Sequence, residues 1–109
     1  MEISFAGYQE NVLTFECEST VTKGDFVTMS ASGKVTVAAE SANFIGKCVN
    51  VRDGYAAVQL DGYVEAEKSG TVNVGYNKLV KAASGIKTGS SGIDRLVIYS
   101  DDSKIGFIL

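Results

Sequence analysis

Apolar and polar residues alternate along several short segments of the chain, and glycine-containing turns separate these segments. In the first segment Leu13, Phe15 and Cys17 alternate with threonine and glutamate, and residues 34–37 and 56–61 repeat the pattern. A period of two is typical of half-buried β-strands. Turn signals about 8–12 residues apart are typical of antiparallel sandwiches and barrels. The pattern therefore predicts an all-β protein.

Glycine-containing dipeptides mark the tightest turns of the predicted sheet. Ser32-Gly33 lies between two apolar segments, where glycine can adopt a positive φ. Asp53-Gly54 and Asp61-Gly62 carry a strong two-residue hairpin signal on either side of one strand. The best helix candidate is residues 38–43, at most a turn or two. The apolar residues 105–109 predict a final strand inside the sheet, which should not tolerate truncation.

The second half of the chain repeats the first in outline. The two pseudo-repeats, residues 21–62 and 72–109, each run from a valine and a glycine through Ala-Ser-Gly to an apolar β-branched run, an acidic turn and a closing strand. A repeat of about 50 residues seen twice favours one pseudo-symmetric domain over a solenoid. We therefore predict a single β domain over residues 12–109, built from two related halves and preceded by an N-terminal arm of residues 1–11.

The length, net charge and apolar runs of the chain argue against several classes of protein. A chain of 109 residues can bury one core without staples. Its net charge of −3 argues against a nucleic-acid-binding protein that works by phosphate neutralisation. The apolar runs are too short to span a membrane, and the N-terminus lacks a signal-peptide pattern. We therefore expect synthesis and use in a cytoplasm, with neither a nucleic acid nor a membrane as partner.

Cys17 and Cys48 are the only cysteines of the chain. Without an export signal, the favoured interpretation is two reduced, buried thiols that pack as small apolar groups. A disulfide between them would need an oxidising compartment. A zinc site is the weakest alternative, because two cysteines without any histidine cannot supply the usual four ligands.

The chain offers little catalytic chemistry. It contains no histidine, so the commonest general base is missing. Glu65 and Glu67 share a strand face, but beside Lys68 they are typical of a solvated surface. We therefore expect no enzyme, no cofactor and no metal site.

Tyrosines and the N-terminal arm are the best candidates for partner binding. Three tyrosines directly follow a glycine at a predicted turn or strand start. Tyrosines so placed either cap a barrel end or line a contact surface, where tyrosine is enriched. The arm adds apolar residues that could order on binding. The candidate partner-binding residues are Ile3, Phe5, Tyr8, Tyr55, Tyr63 and Tyr76.

The order of several motifs carries a family resemblance. These motifs are Val21-Thr22-Lys23-Gly24-Asp25-Phe26-Val27, the turn Ser32-Gly33-Lys34-Val35, Ile45-Gly46-Lys47-Cys48-Val49, and Ala57-Val58-Gln59-Leu60-Asp61-Gly62-Tyr63-Val64-Glu65. In this order, and with the looser second copy, residues 20–109 resemble the small capsid-decoration, or head-stabilising, proteins of tailed bacteriophages and prophages. Residues 1–19 carry no such resemblance.

The resemblance implies both a fold and a role. It implies a small barrel or β-clip-like domain that binds the outside of an assembled phage head and stabilises it. The implied partners are the major capsid protein and further copies of this chain, with a trimer favoured. The implied location is the capsid surface of the virion, after synthesis in the host bacterial cytoplasm. The alternatives are a small tail or baseplate subunit and a soluble non-catalytic binding module, for example for carbohydrate.

Overall fold

The computed structural model describes residues 11–109, which form ten β-strands and no helix. The prediction of an all-β protein with little or no helix is therefore confirmed. The strands are β1 (Val12–Cys17), β2 (Phe26–Ala31), β3 (Lys34–Val37), β4 (Gly46–Arg52), β5 (Tyr55–Gln59), β6 (Tyr63–Glu67), β7 (Gly75–Lys81), β8 (Ile86–Thr88), β9 (Ile93–Ser100) and β10 (Lys104–Ile108).

The first five strands form a closed barrel in the order β1-β3-β2-β4-β5. β1 runs antiparallel to β5 and closes the barrel through a short parallel ladder with β3. Alternate residues of each strand point inward, so the apolar alternation of the sequence fills the interior. The completely buried members of this cluster are Val27, Val35, Cys48, Ala56 and Val58.

The last five strands form a second sheet in the order β6-β10-β9-β7-β8. β10 lies inside this sheet, paired with β6 on one side and β9 on the other. The expectation that the C-terminal residues form an interior strand is confirmed. A single parallel bridge between Lys68 and Ile86 brings the end of β6 to β8, so the two outer strands of this sheet meet at one point.

The two halves pair their strands in the same order. In the first half the order is β3-β2-β4-β5, and in the second it is β8-β7-β9-β10. Matched glycines share their backbone conformation: φ is 95° at Gly24 and 107° at Gly75, and 71° at Gly33 and 77° at Gly85. The correspondence extends to β1 and β6, because each pairs antiparallel with the last strand of its half and meets the short strand in parallel.

Two predicted hairpins are confirmed by the strand register. Ser32-Gly33 joins β2 to β3, since Ala31 lies opposite Lys34. Asp53-Gly54 joins β4 to β5, since Arg52 lies opposite Tyr55. Both of its residues have positive φ, 53° for Asp53 and 81° for Gly54, as a type I′ turn requires.

The predicted hairpin at Asp61-Gly62 is wrong. β5 is already paired on both sides, with β1 and β4, so it has no free edge for β6. The segment instead carries the chain from the barrel to the second sheet. The buried Gln59 side chain holds this crossing, because its amide donates hydrogen bonds to the carbonyls of Asp61 (2.9 Å) and Tyr63 (3.2 Å).

The helix candidate at residues 38–43 is also wrong, and the segment is an irregular turn. Its backbone pairs with the end of β7. The Ser41 N–H donates to the Lys81 carbonyl (2.7 Å), and the Lys81 N–H donates to the Ala42 carbonyl (3.0 Å). Ser41 adopts a φ of 68°. These tertiary hydrogen bonds use backbone groups that a helix would pair locally.

Three phenylalanines join the barrel to the second sheet. Phe26 begins barrel strand β2, Phe44 precedes β4, and Phe107 lies on β10. Their ring centroids are 4.9 Å apart for Phe26 and Phe44, and about 6 Å apart for each with Phe107. These rings belong to one buried cluster with residues of the second sheet. The two halves therefore share a core and form one domain.

The predicted burial of Cys17 and Cys48 is confirmed. Both thiols are free and lie in the apolar cluster of the barrel. Burial raises the pKa of Cys48, and its Sγ donates to the Asn50 carbonyl at 3.4 Å.

Candidate partner-binding surface

The structure describes three of the six candidate residues. Tyr55 is exposed at the start of β5, directly after the β4–β5 turn. Tyr63 begins β6 and Tyr76 is the second residue of β7. The arm candidates Ile3, Phe5 and Tyr8 lie outside the described residues. Tyr63 and Tyr76 belong to the second sheet, whereas Tyr55 belongs to the barrel.

The strand register places Tyr63 and Tyr76 on the same face of the second sheet. Phe107 of β10 lies opposite Val64 on one side and Val97 on the other, and all three are buried in the shared core. Successive residues of a strand point to opposite faces. The residues next to these three along their strands therefore point outward, away from the core.

These outward residues form a transverse line across four strands. Tyr63 of β6 lies opposite Ile108 of β10, Leu96 of β9 follows on the same face, and Tyr76 of β7 lies opposite Leu96. We call these four residues the tyrosine row. With about 4.8 Å between neighbouring strands, the row is about 14 Å long. Tyr76 is 76% exposed, and the other three are half-buried, so the row presents an apolar band with a prominent aromatic end.

Tyr63 anchors the other end of the row. A Cβ at Gly106 would overlap the Tyr63 hydroxyl and ring, so the tyrosine lies over a glycine of the neighbouring strand. Its hydroxyl donates to Glu65 Oε2 at 2.9 Å, and Lys104 Nζ is 3.5 Å from Glu65 Oε1. Desolvation and the Glu65 carboxylate together raise the pKa of Tyr63 to about 12. The ring is therefore held in place by packing and by charge.

Tyr99 extends this end of the surface. Tyr99 of β9 lies opposite Gly106 of β10, which places its side chain on the same face as Tyr63. Tyr99 is 42% exposed. Its hydroxyl donates to Asp101 Oδ2 at 2.6 Å. That hydrogen bond, with the backbone N–H groups of Ser103 and Lys104, lowers the pKa of Asp101. The β9–β10 turn is thus fixed from within.

Sequence reasoning missed Leu96, Ile108 and Tyr99 as members of this surface. Leu96 lies in the apolar β-branched run of the second repeat, and Ile108 lies in the predicted final strand, where apolar residues occupy successive positions. The signal that could have separated them is the inward position of Val97 and Phe107, since their immediate neighbours must point outward. That signal becomes readable only when the register of β9 and β10 is known.

A mixed-charge cleft lies where the barrel meets the second sheet. It has a volume of about 510 Å³, and Lys47, Glu65, Lys81 and Lys104 contribute to its lining. Lys47 Nζ donates to the Glu65 carbonyl at 2.9 Å, and burial lowers the pKa of Lys47. Lys81 Nζ donates to the Ala82 carbonyl at 2.6 Å. The Lys47–Glu65 hydrogen bond joins β4 of the barrel to β6 of the second sheet, which carries the tyrosine row.

Among residues 11–109, no group of three or more histidine, cysteine, aspartate or glutamate side chains could hold a metal ion. The same described residues contain no helix long and apolar enough to cross a membrane. Comparison of the chain with protein-family models, with curated proteins and with solved structures finds no match.

The raised pKa of Tyr63 predicts a specific loss of stability at alkaline pH. The unfolded chain releases the tyrosine proton near pH 10.0, whereas folded Tyr63 releases it near pH 12. The unfolded state therefore binds fewer protons between these values, and the free energy of unfolding falls as pH rises through this window. The contribution of Tyr63 is fully present below pH 10. Urea denaturation at pH 9 and pH 11.5 measures the loss.

Tyr63→Phe is the variant that isolates this effect, because it removes the titrating hydroxyl and retains the ring over Gly106. We expect its decline between the two pH values to be smaller than that of the unchanged protein. Tyr76→Phe is the matched control, since it keeps Tyr63 and should decline as the unchanged protein does. An equal decline in all three proteins would show that Tyr63 is not the responsible group.

Proposed function

We propose that this protein is a structural virion protein that binds the outside of an assembled phage capsid and stabilises it. The observation that carries the proposal is the tyrosine row, an apolar band with an exposed tyrosine on a sheet supported from behind by the shared core. Aromatic side chains with rigid support are favoured at the centres of protein interfaces. The order of sequence motifs supports the capsid as partner.

The surface has the physical properties that such a role requires. A head-stabilising protein needs a rigid contact face and no catalytic group. β10, which contributes Ile108 to the row, is paired on both sides. The hydroxyl of Tyr63 is held by Glu65 at 2.9 Å. Little side-chain and backbone freedom remains to be lost at these positions on binding, which favours affinity.

Tyr76→Ala should weaken binding to expanded phage capsids about 10–30-fold, as expected for truncation of an aromatic residue that contributes strongly to an interface. The side chain is 76% exposed in the free protein, so its removal should change folding stability little. Co-sedimentation of purified protein with capsids at increasing concentration measures the dissociation constant. In the same assay, a chain that begins at Val12 tests the proposed contribution of Ile3, Phe5 and Tyr8.

Tyr55→Ala is the matched control for this experiment. Tyr55 also follows a glycine at the start of a strand and is 54% exposed, but it lies on the barrel. We expect it to change the dissociation constant less than about threefold. Capsid binding that is unchanged by Tyr76→Ala, or weakened equally by both variants, would contradict the assignment of the tyrosine row as the contact surface.

A carbohydrate-binding module is the second candidate function, because a shallow depression lies beside Tyr76. Its lining includes Tyr76 together with the polar side chains of Asn77, Lys78 and Asp94. An aromatic ring beside polar groups is a common arrangement for binding a sugar ring. A glycan screen with the unchanged protein and Tyr76→Ala distinguishes the candidates. Glycan binding that depends on Tyr76, without capsid binding, would favour this second function.

A further inference from the structure

Within residues 11–109, one side of strand β1 has no partner strand over most of its length. β1 pairs with β5 from Val12 to Glu16, whereas its ladder with β3 contains only Glu16 and Cys17. The β3 side ends there because the chain turns at Ser32-Gly33, and the Gly33 carbonyl accepts from the Glu16 N–H at 3.0 Å. Among residues 11–109, no strand pairs with the β3-facing side of residues 12–15.

The existing hydrogen bonds determine which groups face this free side. The N–H groups of Glu16 and Glu18 donate toward β3, to Gly33 and Val35, each at 3.0 Å. The Cys17 N–H donates the other way, to Gly54 beside β5, at 3.0 Å. Hydrogen-bonding direction alternates along a strand. Val12 and Thr14 therefore direct their N–H and C=O groups to the free side.

This edge lacks the features that usually prevent strand pairing. Val12 is 45% exposed and Leu13 is 55% exposed. Residues 12–15 are uncharged and consist of β-branched, aliphatic and aromatic residues, without the lysine or proline that commonly protects an edge. The edge thus combines exposed apolar side chains with backbone groups that pair with no strand of the described part of the chain.

We propose that β1 pairs with β1 of a second copy of this chain, antiparallel, with Leu13 on the two-fold axis. The groups that face the free side must lie opposite each other, and placing Val12 opposite Thr14 of the second copy is the register that pairs both residues in both copies. Both strands contribute the same outward groups, and the pairing is therefore self-complementary. Each of its two Val12–Thr14 pairs would exchange two backbone hydrogen bonds.

The proposed interface is small and two-fold. β3 occupies this side of β1 from Glu16 onward, so the new ladder is limited to a few residues. A short ladder of this size is typical of a weak, concentration-dependent dimer. The inference goes beyond the proposed function, since it concerns self-association through the barrel and leaves the tyrosine row free.

Cysteine cross-linking tests the register directly. In the proposed pairing the Cα atoms of the two Leu13 residues are about 4.5 Å apart, which a disulfide can span. Leu13→Cys should therefore form a covalent dimer under mild oxidation, visible on a non-reducing gel. Thr14→Cys is the matched control, because in this register its two copies are about 8 Å apart. We expect at least about tenfold less cross-linking for Thr14→Cys.

Light scattering and sedimentation over a range of concentrations provide the second measurement. The unchanged protein should show a monomer–dimer equilibrium, and Leu13→Lys should shift it to monomer by placing two ammonium groups together on the axis.

A monomer at all concentrations, a trimer, or equal cross-linking of both cysteine variants would overturn the proposal. Dimerisation only after removal of residues 1–11 would also overturn it, since the intact chain would then cover its own edge. Capsid binding is scored separately, so failure here is distinct from failure of the proposed function.

Discussion

Replacement of Phe107 by alanine is expected to lower the free energy of unfolding by about 3–5 kcal/mol. Phe107 is completely buried, and its ring lies about 6 Å from the rings of Phe26 and Phe44. It therefore contacts the barrel from an interior strand of the second sheet. Truncation at this point leaves a cavity between two sheets that are each fixed by their own hydrogen bonds, so little of the volume can collapse.

Urea denaturation, followed by far-ultraviolet circular dichroism, measures this change. We expect one cooperative transition in both proteins, because the barrel and the second sheet share the cluster around Phe107. Phe107→Leu is the control that keeps most of the apolar volume, and it should cost about 1.5 kcal/mol or less. A loss below about 1 kcal/mol for alanine would contradict a tightly packed junction. Two separate transitions would contradict a shared core.

The position of Phe107 was partly predictable from the sequence. The run from Ile105 to Leu109 is apolar beyond what an edge strand needs, and this indicated an interior strand. The hairpins at Ser32-Gly33 and Asp53-Gly54 were also predictable, because their turn residues and their strand partners are adjacent in sequence. At these positions the turn residues and the observed strand pairing indicate the same structure.

Asp61-Gly62 shows where local reasoning stops. It has the same turn residues as Asp53-Gly54, but both edges of β5 are already occupied. One edge pairs with the preceding strand β4, and the other pairs with β1, which is distant in the sequence. The pairing of β1 with β5 decides the outcome, and no residue near position 61 encodes it. Long-range strand pairing therefore overrides a strong turn signal.

The tyrosine row was likewise predictable only in part, because local sequence identifies some of its residues and long-range strand pairing determines the others. Glycine-following tyrosines were identified from sequence, and two of them, Tyr63 and Tyr76, lie in one row of the second sheet. The aliphatic residues between them were not identified, because Leu96 and Ile108 are each next to a core residue, Val97 or Phe107, within a run of apolar residues. The separation of Tyr55 from the other two depends on the division of the chain into two sheets.

Substitutions at Gly33 and Gly85 can test the influence of distant residues on a turn, because the two glycines occupy the same Ala-Ser-Gly position of the two halves. Both have positive φ, 71° and 77°. At Gly33 no atom of the described residues lies within 4 Å of an added Cβ, whereas at Gly85 that Cβ would overlap the carbonyl of Glu67. Gly33→Ala should therefore cost only the left-handed conformation, about 1–2 kcal/mol. Gly85→Ala should cost about 3–5 kcal/mol, since a backbone clash is added to the same strain.

The extra loss at Gly85 should arise where β6 meets β8. To relieve the clash the backbone at Glu67 must move, and this weakens the Lys68–Ile86 bridge and the 2.9 Å hydrogen bond from the Ser69 N–H to the Ile86 carbonyl. Faster hydrogen exchange at the Ser69 amide in Gly85→Ala, with no such change in Gly33→Ala, would locate the effect there. Equal losses of stability for the two variants would mean that backbone strain alone acts. In that case the contact between β6 and β8 would contribute nothing to folding, although the equivalent contact between β1 and β3 closes the barrel.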